Sequence, residues 1–371
     1  MKKLLYGTTA LVAAGMVAGG AQAADKIKVG VGGYFFGYLV GVDQDDSAAT
    51  GALGAAPGNN RRGHDITREG EIIFTGKTTL DNGIQFGVQV QLEAETCGDQ
   101  IDESFMWMSG SFGRINLGSE NAASYLMGYG AVAPSHWSAG VNSPGSRFHN
   151  TGGNAAGFNT TNAQLTSDAE KITYFTPRMS GFQLGVSYTP ERAQDISSYS
   201  GMEGNADAGD QSEVVEIGAN WTGKMGGTSV GVSGSWGEAS EEVSSATTDD
   251  RQEYTLGLKA SMNNISVGFR FRNDDQGSSG SNTDAEAWVI GIRYKSGPWG
   301  MGVQVANNEV GQGAGAGVDE ARAIEVGGSY SIGPGITMVG GVQVHDLSAG
   351  DGDPGQENDA TVFFIGTFLG F

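Results

Sequence analysis

Thr361-Val362-Phe363-Phe364-Ile365-Gly366-Thr367-Phe368-Leu369-Gly370-Phe371 is the stretch that decides the fold. Phe363, Ile365, Thr367, Leu369 and Phe371 recur at every second position. Side chains alternate between the two faces of a strand, so one face of this segment needs an apolar surrounding. Segments of the same kind recur back to residue 26. Tight turns and long polar loops separate them in alternation, which is the pattern of a closed barrel in a lipid bilayer.

The period predicts sixteen strands, near 26–42, 66–80, 84–95, 101–109, 113–118, 170–177, 182–190 and 212–222, then 228–237, 251–262, 265–273, 284–295, 299–307, 320–332, 336–346 and 358–371. Short connections such as Asp81-Asn82-Gly83, Asn263-Asn264 and Gly333-Pro334-Gly335 carry the residues tight hairpins require. An even strand number brings both ends of the sheet to one side, where the first and last strands close it. The phase is clear in 84–95: Ile84, Phe86, Val88, Val90 and Leu92 share one face, and Gln85, Gln89, Gln91, Glu93 and Glu95 the other. Charged faces of this kind suit a lumen wide enough for water. Strand 26–42 is ambiguous, because both of its faces carry large apolar groups. The expected fold is an all-β, sixteen-stranded antiparallel transmembrane β-barrel.

Residues 1–23 read as a secretory signal, with Lys2 and Lys3, an apolar stretch from Leu4 to Gly20, and the small-x-small site Ala21-Gln22-Ala23. The apolar stretch is short for a transmembrane helix. Residues 24–371 are expected to form one barrel domain. A mean hydropathy of −0.24 does not oppose this, because only alternate strand residues face lipid. The 63 glycines have no collagen period and suit bends and close approaches within a barrel. The formal charge of −21 makes nucleic acid an unsuitable partner. Cys97 is the single cysteine, so no internal disulfide forms. Acidic loop groups (Asp43, Asp45, Asp46; Glu238, Glu241, Glu242; Asp351, Asp353) are solvated loop residues or, alternatively, Ca²⁺ bridges to anionic lipid headgroups.

One connection, about residues 119–169, is long and has no strand period. Tyr125, Leu126, Met127, Tyr129, Trp137 and Phe148 make it too apolar for a solvated tail. Long loops in compact domains are usually functional. This one is expected to fold against the inside wall of its own barrel and narrow it, a surface lid being the alternative.

The run Trp107-Met108-Ser109-Gly110-Ser111-Phe112-Gly113-Arg114-Ile115-Asn116-Leu117-Gly118 resembles the hairpin before the constriction loop of general bacterial porins. Ile172-Thr173-Tyr174-Phe175-Thr176-Pro177-Arg178-Met179-Ser180-Gly181-Phe182 resembles the strand and turn after that loop in porins of alpha-type Gram-negative bacteria. The terminal Phe371 resembles the signal read by the barrel-assembly machinery. The resemblance implies a homotrimeric channel in the outer membrane, among lipid and lipopolysaccharide, passing small hydrophilic solutes. It also implies a basic wall facing acids on the third loop. Strand phase makes Lys77, Arg114 and Lys171 the candidates for the basic side. Glu120 and Asp168 are the loop's acids, and Arg147 adds a base. Asn142, Asn150, Asn154, Asn159 and Asn162 make the loop polar but mostly neutral, against the strong transverse field the resemblance implies. Inward Glu69, Glu71, Glu93 and Glu95 favour cations.

Enzyme motifs lack their context. Gly227-Thr228-Ser229-Val230-Gly231 matches a nucleophile elbow but starts a strand after a tight turn, where the motif needs a strand, a turn and a helix. His64, His136, His149 and His345 have no metal-ligand spacing, and no metal or other cofactor is expected. The leading function is passive diffusion. A substrate-selective channel with an aromatic track at Tyr34, Phe36 and Tyr38, an outer-membrane hydrolase and an adhesive barrel are the alternatives.

Overall fold

The computed structural model describes residues 26–45, 62–94, 100–142, 148–149, 151, 153–158, 160–192, 210–243, 245–350 and 356–371. The expected signal segment, Cys97 and Arg147 lie outside these residues. Sixteen strands form one closed antiparallel barrel. The first half comprises β1 (Lys28–Gln44), β2 (His64–Thr79), β3 (Gln85–Glu93), β4 (Ile101–Gly110), β5 (Gly113–Ser119), β6 (Glu170–Phe175), β7 (Phe182–Glu191) and β8 (Gln211–Met225). The second comprises β9 (Thr228–Glu241), β10 (Arg251–Met262), β11 (Ile265–Asp274), β12 (Ala285–Ser296), β13 (Trp299–Gly311), β14 (Val318–Gly333), β15 (Ile336–Ser348) and β16 (Asn358–Gly370). Each strand pairs with its sequence neighbours, and β1 closes on β16 from Tyr34↔Gly370 to Gln44↔Ala360. Closure satisfies every strand edge, the condition for a sheet to exist in hydrocarbon. No described helix is long and apolar enough to cross a membrane, which says nothing against crossing by strands.

The alternation of the terminal segment is what sorts its side chains. Phe363, Ile365 and Leu369 are exposed on the outer face, whereas Val362 and Phe364 are buried on the inner one. The same phase runs around the barrel, with Val267, Phe269, Ile290 and Ile292 outward and Arg270 and Arg272 inward. The ambiguity of the first strand disappears here. Val29, Val31, Phe35 and Leu39 face out, while Phe36, Tyr38 and Val40 pack inward against Ala139, Val339, Val362 and Phe364.

Several strands run beyond the expected ends. β8 continues to Met225, β9 to Glu241 and β13 to Gly311. Apart from Met225 and Val310 the residues added there are polar or small, so backbone pairing carries the ladder and the period that marks a strand in sequence fades. Short turns are tight, as at Gly83, whose φ of 82° needs a residue without Cβ and whose N–H donates to Leu80 O at 2.8 Å.

Candidate functional site

The segment joining β5 to β6 holds one helical turn, α1 (Ala123–Leu126), and a short 3₁₀ turn at Ala155–Phe158. Its contacts are with side chains on the face opposite the exposed apolar one. At its base Lys171 is 3 % exposed and donates to the carbonyls of Glu120, Ser167 and Ala169, at 2.8 Å for Ser167. Ser119 Oγ donates to Asp168 O across the same stem. Farther along, Asn220 Nδ2 donates to Met127 O at 3.0 Å, and Tyr129 N to Ser233 Oγ at 2.8 Å. Ser135 Oγ donates to Glu325 Oε1 at 2.5 Å, and Gln343 Nε2 to Ala139 O at 2.7 Å. The return limb is held by Gln164 N on Glu253 Oε1 at 3.0 Å and by Asn154 Nδ2 on Ser348 O at 2.9 Å. These partners lie on β6, β8, β9, β10, β14 and β15, so the segment lies along the inner wall.

Glycine makes that seat possible. A Cβ at Gly257 would collide with the carbonyl oxygen of Tyr129, one at Gly268 with that of Gly130, and one at Gly291 with that of Val132. Gly268 and Gly291 are directly paired across β11 and β12. The backbone of the loop therefore sits in a groove where the wall has no side chains, a close approach only glycine permits.

The wall under the loop carries buried charges of both signs, with Lys171 and Arg270 among the bases. Glu216, Glu253 and Glu325 are buried there and accept hydrogen bonds from loop hydroxyl or amide groups. Loop hydroxyl and amide groups, rather than a second set of acids, meet these three carboxylates.

The remaining sector of the wall is lined by β2 to β5. Glu71 and Glu93 are cross-strand partners, and with Asp102 they bring carboxylate oxygens within 4.8 Å of one another. Tyr34 OH donates to Glu71 at 2.7 Å. Glu103 accepts from Asn121 Nδ2 at 2.9 Å, tying the loop entry to this sector. Glu71, Glu93 and Asp102 are the described acids placed to hold a cation. Asp102 and Glu103 were not singled out from sequence. A register irregularity between Val90 and Leu92 shifts β4 against β3, and alternation within β4 alone does not show it.

The other expected site residues separate. Arg114 lies over the Trp107 ring, 4.7 Å from its centroid, and donates to Asn116 Oδ1 at 2.6 Å. Asn116 in turn donates to Glu120 Oε2 at 2.5 Å. Burial pushes the Glu120 carboxyl up to about 7, against the opposing hydrogen bond from Asn116. Lys77 stands opposite Lys28 and Gly87 near the short-turn end. That is six residues from Glu71, or roughly 20 Å along the strand, so Lys77 does not join the acids at one level. Lys171 turns its ammonium into the loop stem, where it braces rather than lines. Asp168 is partly buried beside Ser167, at 3.1 Å. Arg147 is outside the described residues.

Phe36 and Tyr38 are buried under the loop, with Tyr38 OH 2.5 Å from Ser138 Oγ. The expected aromatic track is thus largely a seat. Trp137 stands edge-on to Tyr34 at 5.2 Å and is 51 % exposed, so its free face reaches the lumen. Next to it His136 makes a 2.7 Å hydrogen bond with Ser138 Oγ. Burial, with Arg293 adding to it, pushes the His136 ring down to about 4, so it stays neutral near pH 7. His149 and His345, distant in sequence, stack at 3.9 Å. Ser229 sits near the start of β9 opposite Lys224 and Ser261, and the strand simply runs on, so no elbow forms.

Comparison with known proteins agrees with this geometry. The profile of the Gram-negative porin family matches residues 7–350. A porin of Rhodobacter capsulatus is 20 % identical over 303 residues, covering 76 % of this chain and 88 % of that protein. Among solved structures, a porin superposes with a TM-score of 0.58 at 16 % identity, over 93 % of this chain and 100 % of that one. A loop-deleted outer-membrane protein of Vibrio cholerae gives 0.59 at 14 % identity, over 94 % and 100 %. The structural likenesses establish the barrel fold, and the profile match establishes the family. The chain belongs to the Gram-negative porins and is an outer-membrane β-barrel channel protein.

Proposed function

We propose that this porin passes small hydrophilic solutes and ions by passive diffusion, with a preference for cations. The observation that carries the reading is the division of the inner wall. One side is occupied by the loop on its glycine seat, and the other presents Glu71, Glu93, Asp102 and Glu103. Carboxylates at cross-strand spacing raise the local cation concentration and repel anions. Solutes are filtered by size where Trp137 and this acidic sector adjoin. The fold and family point to a channel rather than an enzyme.

Assembly as a homotrimer, contact with lipopolysaccharide, and insertion by the barrel-assembly machinery through the exposed Phe371 belong to the same proposal. So does Ca²⁺ at the acidic loops, where Asp43, Asp45, Glu238, Glu241 and Glu242 lie among the described residues. The test is single-channel recording of the purified protein in planar bilayers under a salt gradient. Open channels with a cation-directed reversal potential are expected, and triplet steps report the trimer. A silent or anion-preferring protein refutes the reading.

A further inference from the structure

The inner face of β8 to β11 carries a basic shelf at its short-turn end. Pairing sets Lys224 opposite Ser229, Ser229 opposite Ser261 and Ser261 opposite Ser266, one row across four strands. Lys259, opposite Gly231, stands one inward position deeper on β10. A Cβ at Gly231 would meet Lys259 Cε at 2.8 Å, so the lysine stem leans across β9 over that glycine. Arg178, in the turn between β6 and β7, reaches the same part of the wall. Its Nη1 donates to Gly181 O at 2.7 Å, and its Nη2 to Gln183 Oε1 at 2.8 Å and Asn220 Oδ1 at 2.9 Å. From there its charge acts on Lys259.

All three bases are exposed, and none joins an ion pair among the described residues. The partners of Arg178 are neutral, so its charge is not balanced. Along these strands the nearest inward acids are Glu253, six residues from Lys259, and Glu216, eight from Lys224, or roughly 20 Å and 27 Å away. Both separations exceed the screening length of about 10 Å at 0.1 M salt. Ser229 Oγ makes no hydrogen bond among the described residues. Ser261 Oγ and Ser266 Oγ lie 2.9 Å apart, and since one donates to the other, the second keeps its proton for a ligand.

Three positive charges without counter-charges, with hydroxyl donors between them, are the donor set of a multivalent oxyanion. Lys224 and Lys259 flank β9 from either side, so an anion over Ser229 and Gly231 meets both ammonium groups. A monoanion would leave two of the three charges unbalanced. Strand phase puts the shelf on the inner face, away from lipid, so its ligand is dissolved and not a headgroup.

We propose that this shelf binds a multivalent phosphate anion of the diphosphate class, seated over Ser229 and Gly231 between Lys224 and Lys259, with Arg178 beside them. The site goes beyond the channel reading. It opens toward the short-turn end, so the anion arrives from that side and does not pass the level of Glu71 and Glu93.

The test is isothermal titration calorimetry of the full chain in non-ionic detergent micelles, with inorganic pyrophosphate as the probe. Saturable binding that weakens with added salt is expected, and acetate at the same concentration shows none. Lys224→Gln and Lys259→Gln each weaken binding about two- to fivefold, and the double variant weakens it further. Ser229→Ala weakens it about two- to tenfold. Arg322→Gln removes the same charge at the long-loop end, where Arg322 pairs with Glu320 at 2.6 Å, and leaves binding unchanged. Heat-modifiable migration on gels verifies that each variant is folded. Equal binding of acetate, an unchanged titration in the double variant, or an equal loss in Arg322→Gln overturns the shelf. Bilayer reversal potentials of the same preparations keep the two readings apart. Binding with an anion-directed potential refutes the cation channel alone, and a cation-directed potential without binding refutes the shelf alone.

Discussion

Glu216 accepts a hydrogen bond from Ser124 Oγ at 2.6 Å, and its other oxygen accepts one from Thr166 Oγ1. One buried carboxylate on β8 thus holds the outgoing and the returning limb of the loop. Replacing it by alanine leaves two hydroxyls without their acceptor, at about 1–3 kcal/mol for each group that stays buried and unsatisfied. Glu216→Ala is expected to raise open-channel current noise and to expose the loop to limited proteolysis, while the barrel remains heat-modifiable. A quiet, protease-resistant variant contradicts the clamp.

The glycine seat is testable by adding the missing Cβ. Gly268→Val and Gly291→Val force the loop off the wall, because the obstacle is its backbone carbonyl and not a movable side chain. Single-channel conductance should change in both. Gly234→Val is the control. A Cβ at that position meets only Leu256 at 3.5 Å and a carbonyl at 3.7 Å, so conductance should be unaltered.

Glu120 is expected to make the channel sensitive to pH near neutrality. Its carboxyl rises from the ordinary 4.5 to about 7 in the folded protein. A raised carboxyl favours the protonated form, so the folded state carries no penalty below about pH 4.5 and loses stability as pH climbs from there through 7. Ionisation adds a negative charge at the loop entry. Cation preference, measured by reversal potential, should therefore increase from pH 6 to 8. Glu120→Gln should flatten that change.

Ion preference also locates the acidic sector. The double variant Glu71→Gln, Glu93→Gln removes two lumen charges at one level and should move the reversal potential toward the anion side. Lys77→Gln, near the short-turn end, should move it less. An equal or larger effect at Lys77 would place the selective level elsewhere.

Trp137 lies beside these acids, edge-on to Tyr34, whose hydroxyl donates to Glu71. Trp137→Ala removes the ring that stands against Tyr34 and Phe36. Liposomes carrying this variant should swell faster with larger sugars, with little change for the smallest. Identical rates for every sugar would show that the ring does not limit entry.

Much of the barrel is legible in the sequence. Phe363, Ile365 and Leu369 declare a lipid-facing side by period alone, because a strand has only two faces and only one can meet hydrocarbon. The same rule directs Glu71 and Glu93 to the inner face. Lys171 shows its limit: phase directs it inward, but only the fold brings three loop carbonyls to its ammonium. Glu216, Glu253, Glu325 and Arg270 look in sequence like ordinary lumen polar residues. Their burial depends on a loop that crosses strands far away in the chain.

Sixteen alternating segments joined by turns determine, without coordinates, a cylinder that is apolar outside and polar within. The reason is local: side-chain direction follows from backbone geometry, and turns from the residues that compose them. Where the loop rests, which acids it covers and which it leaves to the lumen were decided by tertiary structure alone. Those choices depend on contacts between residues a hundred or more positions apart, such as Ser135 with Glu325, and such contacts have no period to read.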